Sequence, residues 1–251
     1  MNIEKHSEYL EKLKELSEKA GSVIMKFYDV DSQIKEKSDG SPLTLADSAS
    51  EKVILEGLKE IFTGIPIVSE ENVESHSIEP PEKFFLVDPL DGTKEFIKMD
   101  GKGSFTVNIA LIECGFPTLG VIYAPALNRM FFGSKLIGAF ENQRQIFTRA
   151  VPATGSVAVA SLSHRDEKTN FWLKENGIKK TLSIGSSLKF CLLACGEADI
   201  YPRFGPTMEW DTAAGQAILE SAGGRVENLD GTQLNYGKKK FLNDIFIAKG
   251  R

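Results

Sequence analysis

The sequence predicts an α/β protein of the α+β kind, assembled from two halves. Three observations carry that reading. Apolar residues recur at three- and four-residue spacing over Ile3 to Tyr28 and again from Val53 to Phe62, as in amphipathic helices. Strand-like runs then follow one another from Ile65 to Phe147, as in a largely antiparallel sheet. From about Val157 strand-like and helix-like stretches alternate, which suggests helices covering a second sheet.

In the first helix Tyr9, Leu10, Leu13, Leu16, Ala20, Val23, Ile24 and Phe27 share a face. Gln33 to Lys37 reads as a short strand, and Asp39-Gly40-Ser41-Pro42 as a turn. Val53, Ile54, Leu55, Leu58, Ile61 and Phe62 mark a second helix, with Asp47 near its N-terminal end, where Asp is also favoured as a cap. Ile65 to Ser69 is a short strand that runs into Glu70-Glu71, and Phe84 to Pro89 is another that runs into acids. Ser104 to Glu113, Thr118 to Ala124 and Arg129 to Gly133 read as further strands, and Gly138 to Glu141 with Gln145 to Phe147 as an exposed hairpin. A soft boundary over Arg149 to Gly155 divides 1–150 from 151–251. Beyond it come strand Val157 to Ser161, helix Asp166 to Asn176, strand Thr181 to Ile184, helix Ser187 to Cys195, strand Asp199 to Phe204, helix Trp210 to Ala222 and strand Ile245 to Ala248. There is no repeat or long linker, so the two halves are expected to share a broad interface.

The 251 residues suffice for a substantial core, and 41% hydrophobic with 26% charged is ordinary for an enzyme. A formal charge of −5 argues against a long nucleic-acid partner held by general electrostatics. The longest apolar runs fall well short of a membrane span, and Met1-Asn2-Ile3-Glu4-Lys5-His6 lacks a signal-peptide core. The expectation is a cytoplasmic protein with no transmembrane segment; peripheral attachment to the inner membrane face and a monomeric or homodimeric state are both left open. Of the three cysteines, Cys191 and Cys195 lie in an apolar helix-like run and are expected to be reduced.

The chemistry centres on Phe84-Phe85-Leu86-Val87-Asp88-Pro89-Leu90-Asp91-Gly92-Thr93. A buried strand delivers two carboxylates at its end, and Pro89 is expected to turn the backbone sharply so that Asp88 and Asp91 converge. Gly92 permits close backbone approach, and Thr93 offers a hydroxyl and an N–H at a helix start, a place suited to phosphate. The bland alternative is an Asp-Gly turn. Leu-Asp-Gly-Thr occurs a second time, at Leu229 to Thr232, where no Asp-Pro precedes it and a simple hairpin turn suffices. Asp211 sits in Trp210-Asp211-Thr212-Ala213-Ala214-Gly215, where small residues would let another backbone pack closely; it would open a helix, either as cap or as ligand. If Glu70, Asp88, Asp91 and Asp211 converge, their repulsion requires cations. An oxygen-only set without His or Cys selects Mg²⁺ over zinc.

Taken together, Asp88-Pro89-Leu90-Asp91-Gly92-Thr93, the upstream Glu70-Glu71 and the downstream Trp210-Asp211-Thr212-Ala213-Ala214-Gly215 resemble the inositol monophosphatase superfamily of Mg²⁺-dependent, lithium-sensitive phosphatases. The resemblance covers essentially the whole chain. It implies a layered αβαβα fold with the active site between the halves, and two or three Mg²⁺ ions. It makes Glu70, Asp88 and the Leu90 carbonyl ligands of a first ion, and Asp88, Asp91 and Asp211 ligands of a second. Thr93 and Glu70 would orient and help deprotonate the attacking water, Asp47 would accept from Thr93, and the Gly92 and Thr93 N–H groups would hold phosphate. Glu71 would serve a supporting role or a third, weaker ion. Leu90 replaces the common isoleucine, with no consequence expected for its carbonyl.

Gly185-Ser186-Ser187-Leu188-Lys189, Tyr201-Pro202-Arg203-Phe204 and Glu209-Trp210-Asp211 further resemble the bacterial 3′(2′),5′-bisphosphate nucleotidases. That implies adenosine 3′,5′-bisphosphate as substrate, with Ser163, His164, Ser186, Lys189 and Arg203, beside Asp211, as its contacts. The alternatives are an inositol or sugar monophosphatase and, in another class, a non-catalytic bisphosphate nucleotide sensor.

Overall fold

The computed structural model describes residues 2–28, 35–36, 42–98, 103–161 and 166–251. Helix α1 is Ile3–Tyr28; β1 (Lys35–Glu36) and β2 (Pro42–Leu43) form a small antiparallel pair; α2 is Leu45–Ile61. Then come β3 (Ile67–Ser69), β4 (Lys83–Asp91), α3 (Thr93–Lys98), β5 (Thr106–Glu113), β6 (Phe116–Ala124), β7 (Arg129–Ser134), β8 (Gly138–Glu141) and β9 (Arg144–Ile146). Strands β3 to β9 make one seven-stranded sheet in chain order, parallel at β3–β4 and antiparallel elsewhere. The remainder comprises β10 (Val157–Ser161), α4 (Glu167–Glu175), β11 (Lys180–Ile184), α5 (Leu188–Ala194), β12 (Ile200–Arg203), α6 (Ala213–Ser221), β13 (Arg225–Asn228) and β14 (Phe246–Lys249). Its five strands are ordered β11-β10-β12-β14-β13.

The central strands are apolar on both sides because both sides are covered. Phe85, Val87, Val107, Ile109 and Leu111 face α1 and α2, meeting Leu10, Leu13, Ile54 and Leu58 in one cluster. The alternate residues Phe84, Leu86, Ala110 and Ile112 join a second cluster with Phe190 and Leu193 of α5 and Ala214 and Ile218 of α6. That cluster continues to Val159, Tyr201 and Phe246 of the five-stranded sheet, so α5 and α6 lie between the two sheets. On the far side of β10, Ala158 and Ala160 are buried outside either cluster, as is Leu173 of α4. The order is therefore α, β, α, β, α. Each Phe buried in these layers contributes roughly 2–3 kcal/mol of transfer free energy.

The small residues expected to allow close approach do so. A Cβ on Gly120 of β6 would lie 2.5 Å from Ala214 O, and one on Gly215 would lie 2.4 Å from the Phe190 ring. Helix α6 thus sits directly on both its neighbours. Two expectations need correction. Strand β4 does not turn away at Pro89 but runs on to Asp91: the ladder to β5 skips between Asp88 and Asp91, because proline lacks the N–H to continue it, and then resumes. Asp211 does not open α6 either. Glu209–Asp211 is a separate 3₁₀ turn, closed by Met208 N–H donating to Asp211 Oδ2 at 2.8 Å, and the helix starts at Ala213. Cys114, Cys191 and Cys195 are free thiols.

Candidate active site

The register of β3 on β4 brings the first two acids together. Ser69 pairs with Val87, and Glu70 N–H donates to Val87 O at 3.1 Å, so Glu70 and Asp88 leave adjacent parallel strands side by side. Asp88 is 1% exposed, and its Oδ1 accepts from Leu90 N–H at 3.0 Å, a local turn that also shapes the Pro89 bulge. From the other side of the sheet, Ser50 of α2 donates to Pro89 O at 2.8 Å. The 3₁₀ turn brings in the third acid: carboxylate oxygens of Glu70, Asp88 and Asp211 all lie within 4.8 Å of one another.

Asp91, at the end of β4, is not part of that 4.8 Å group but lines the same cleft as Glu70 and Asp211. Burial pushes its pKa up to about 6, with Lys189 opposing the shift and Glu70 adding to it. Asp88 and Asp211 are pushed upward too, first by burial and then by the neighbouring carboxylates. Such mutual repulsion is what a bound cation relieves. The 3₁₀ turn is held rigidly: Glu209, fully buried, accepts from Gly237 N–H at 2.7 Å and Lys238 N–H at 2.8 Å, and Asn243 donates to Met208 O at 2.8 Å. Beside it Trp210 stacks on His76 with centroids 4.7 Å apart, and His76 Nε2 lies 2.8 Å from Ser69 O.

Thr93 opens α3, which follows Gly92 in the left-handed region at φ 91°. A Cβ at Gly92 would meet Ser104 O at 2.8 Å, so only glycine fits. Thr93 Oγ1 lies 3.2 Å from Asp47 Oδ1 and 3.2 Å from Leu90 O. Asp47 is itself fixed by its place in α2, its Oδ2 accepting from Thr44 N–H at 2.8 Å and Thr44 Oγ1 at 2.6 Å. For Asp47 capping does not compete with the contact to Thr93: one oxygen caps α2 and the other faces the Thr93 hydroxyl.

A cavity of about 200 Å³ opens over these groups, lined by Glu70, Asp91, Gly92, Thr93 and Asp211 together with Ser186, Lys189, Tyr201 and Arg203. Lys189 is 6% exposed, donates to Ser186 O and lies 5.4 Å from the Tyr201 ring centre. Burial pulls its pKa down to about 8, against the attraction of Asp91. Arg203 Nη2 donates to Pro206 O at 2.8 Å, while its buried Nε has no hydrogen-bond partner among the described residues. Ser186 has φ 51°, and its Oγ accepts from Leu188 N–H at 3.4 Å, so it also serves the start of α5. Ser163 and His164 lie outside the described residues.

Glu70, Asp88 and Asp91 come from the first half of the chain, and Asp211, Lys189 and Arg203 from the second. The profile of the Inositol monophosphatase family matches residues 5–245. The chain belongs to this family. The 3′(2′),5′-bisphosphate nucleotidase CysQ of Salmonella typhimurium is 46% identical over 244 residues, 94% of this chain and 98% of that protein. Its namesake from Escherichia coli strain K12 is 43% identical over the same coverage. Among solved structures, CysQ of Bacteroides thetaiotaomicron, described as a bacterial member of the family, superposes with a TM-score of 0.85 at 35% identity, covering 99% of both chains. An inositol monophosphatase from Anabaena superposes at 0.78 with 27% identity, covering 98% of this chain and 92% of that one.

Sequence reasoning missed the residues that hold the acidic groups and the 3₁₀ turn in place, chiefly Asn108, Ser187, Glu209 and Asn243. Asn108 had a signal: with Thr106 it is a polar interruption in a strand otherwise apolar up to Ile112. Glu209 and Asn243 had none, because their partners are backbone groups far away in the chain.

Proposed function

We propose that this family member hydrolyses the 3′-phosphate of adenosine 3′,5′-bisphosphate, giving AMP and phosphate. The observation that carries the reading is the pairing across one cleft of a carboxylate cluster with the cationic Lys189 and Arg203. A monophosphate ester needs only the first; a substrate with a second phosphate has use for both. The CysQ relatives at 43–46% identity, which carry the bisphosphate nucleotidase name, support the same choice.

The donor set fits Mg²⁺, being made of carboxylate and carbonyl oxygens crowded closely enough to need a counter-charge. Glu70, Asp88 and the Leu90 carbonyl would hold one ion and Asp88, Asp91 and Asp211 a second, with Glu71 left for a weaker third. Bound there, Mg²⁺ would supply the charge that activates water and offsets the negative charge of the transferring phosphoryl group. The protein's own part is positioning. Thr93 Oγ1, set between Asp47 Oδ1 and Leu90 O, orients the attacking water, and Glu70 helps take its proton. The Gly92 and Thr93 N–H groups face the transferring phosphate, and Ser186, Lys189 and Arg203 hold the second phosphate. Ser163 and His164, outside the described residues, are assigned to the nucleotide from the sequence alone. Among the described residues no helix is long and apolar enough to cross a membrane.

The test is phosphate release from adenosine 3′,5′-bisphosphate beside inositol 1-phosphate, with and without Mg²⁺. The expected result is Mg²⁺-dependent release with a strong preference for the nucleotide. Faster turnover of inositol phosphate would move the assignment to a monophosphatase, and nucleotide binding without release would make the chain a sensor.

A further inference from the structure

Thr106 and Asn108 of β5 stand opposite Asp91 and Asp88 in the ladder to β4, and both are buried. Buried polar side chains in an apolar strand cost free energy unless each finds a partner. Both find the same one, Ser187, at the start of α5 in the other half of the chain. Thr106 Oγ1 lies 2.8 Å from Ser187 Oγ, and Ser187 Oγ donates to Asn108 Oδ1 at 2.7 Å. With its one proton committed to Asn108, the serine hydroxyl must accept from Thr106. Asn108 Nδ2 in turn donates to Asp91 Oδ2 at 3.4 Å, and Ser187 N–H donates to the same oxygen at 2.6 Å. All four bonds therefore point one way, from Thr106 through Ser187 and Asn108 to the carboxylate.

The backbone is bent to make this possible. Ser186, immediately before, is in the left-handed region at φ 51°, a conformation that a non-glycine residue adopts only where its surroundings impose it. The same segment presents Ser186 and Lys189 to the cleft.

We propose that Thr106, Asn108 and Ser187 form a positioning network that fixes the Asp91 carboxylate through Oδ2 and ties it to the segment carrying Ser186 and Lys189. Cation affinity and substrate affinity are then linked through one short stretch of chain. The inference rests on the reading of Asp91 as a cation ligand. It makes the α5 start part of the metal site although it supplies no ligand of its own.

The experiment is calorimetric titration of the substrate-free, metal-stripped full chain with Mg²⁺ or Mn²⁺, for wild type, Asn108→Ala and Ser187→Ala. Supporting groups of this kind typically hold ten- to hundredfold in metal affinity. Asn108→Ala is expected to weaken cation binding about tenfold or more, and to raise KM for the bisphosphate in parallel. Ser187→Ala, which keeps the backbone donor, is expected to show a smaller loss in the same direction. Melting of the stripped proteins separates this from damage to the fold: a purely structural role would lower Tm and leave cation affinity at the wild-type value, and that result overturns the proposal. Should Asn108→Ala fail to fold, Ser187→Ala carries the test. A wild-type chain that binds neither cation would bring down the metal reading itself, whereas variants that bind as wild type bring down only the network.

Discussion

Leu-Asp-Gly-Thr occurs twice in this chain with the same backbone habit and opposite chemistry. Gly92 and Gly231 both take left-handed φ, 91° and 85°. At the first copy Leu90 is 1% exposed; at the second Leu229 is 57% exposed. Asp91 is held by groups from distant parts of the chain and shares its site with other acids, and its pKa rises to about 6. Asp230 only turns back on its own loop, accepting from Thr232 N–H at 2.9 Å and Thr232 Oγ1 at 2.6 Å, and these bonds lower its pKa. A Cβ on Gly92 would strike the Ser104 carbonyl, whereas nothing lies within 4 Å of one on Gly231. The tetrapeptide specifies a turn. What makes one copy a site is the strand before it and the surfaces that close over it.

The largest expected difference between the copies is in turnover. Asp91→Asn removes a carboxylate from the cluster and should lower kcat by about a thousandfold or more, the several kcal/mol that metal-assisted charge stabilisation supplies. Asp230→Asn should leave kcat within about twofold, as expected of a surface change. Similar losses in both would dissolve the contrast. Next comes the glycine. Gly92→Ala combines a disfavoured φ with a backbone clash, and about 2–4 kcal/mol of destabilisation is expected in denaturant melts. Gly231→Ala carries the φ strain alone, about 1–2 kcal/mol.

The contrast also marks what could be read from sequence. Asp88-Pro89 before the first copy, and its absence before the second, separated them in advance. The layers were legible because helical and strand periods are local signals, and Ile3–Tyr28 is the same helix in both sequence and structure. What local patterns did not supply was long-range. That Glu70 lies beside Asp88 follows from the parallel register of β3 on β4, which no local pattern encodes; only the family resemblance had joined the two. The 3₁₀ turn at Asp211 depends on Glu209 accepting N–H groups of Gly237 and Lys238, about thirty residues on, so the helix was drawn through it.

A smaller effect tests the basic residues that share the cleft with the acids. Arg203→Ala should raise KM for adenosine 3′,5′-bisphosphate about ten- to a hundredfold, the worth of a lost charged hydrogen bond, and change KM for a simple monophosphate ester little. Equal effects would place Arg203 outside the second-phosphate pocket and leave the cleft one-sided.

The smallest expected effect lies in stability, where the two aspartates differ in sign. Asp91 has a folded pKa of about 6 against an ordinary 3.8, so the folded chain keeps a proton that the unfolded chain gives up. Its contribution to stability is therefore full below 3.8 and is lost as pH rises through about 6. Asp88 and Asp211 shift in the same direction. Asp230, with its pKa lowered, contributes in the opposite sense: its part is present above the ordinary carboxylate value and is lost in acid. Melts of the metal-stripped chain should accordingly show a cost at pH 8 relative to pH 5 that Asp91→Asn reduces and Asp230→Asn does not. Mg²⁺ should raise Tm by a few degrees at pH 8, above the Asp91 pKa of about 6, where the cation binds only the folded state, and by much less at pH 5, where protons compete for the same oxygens. If Mg²⁺ stabilised the chain equally at both values, its binding would not require these carboxylates to be ionised, and the first copy would lose the property that distinguishes it from the second.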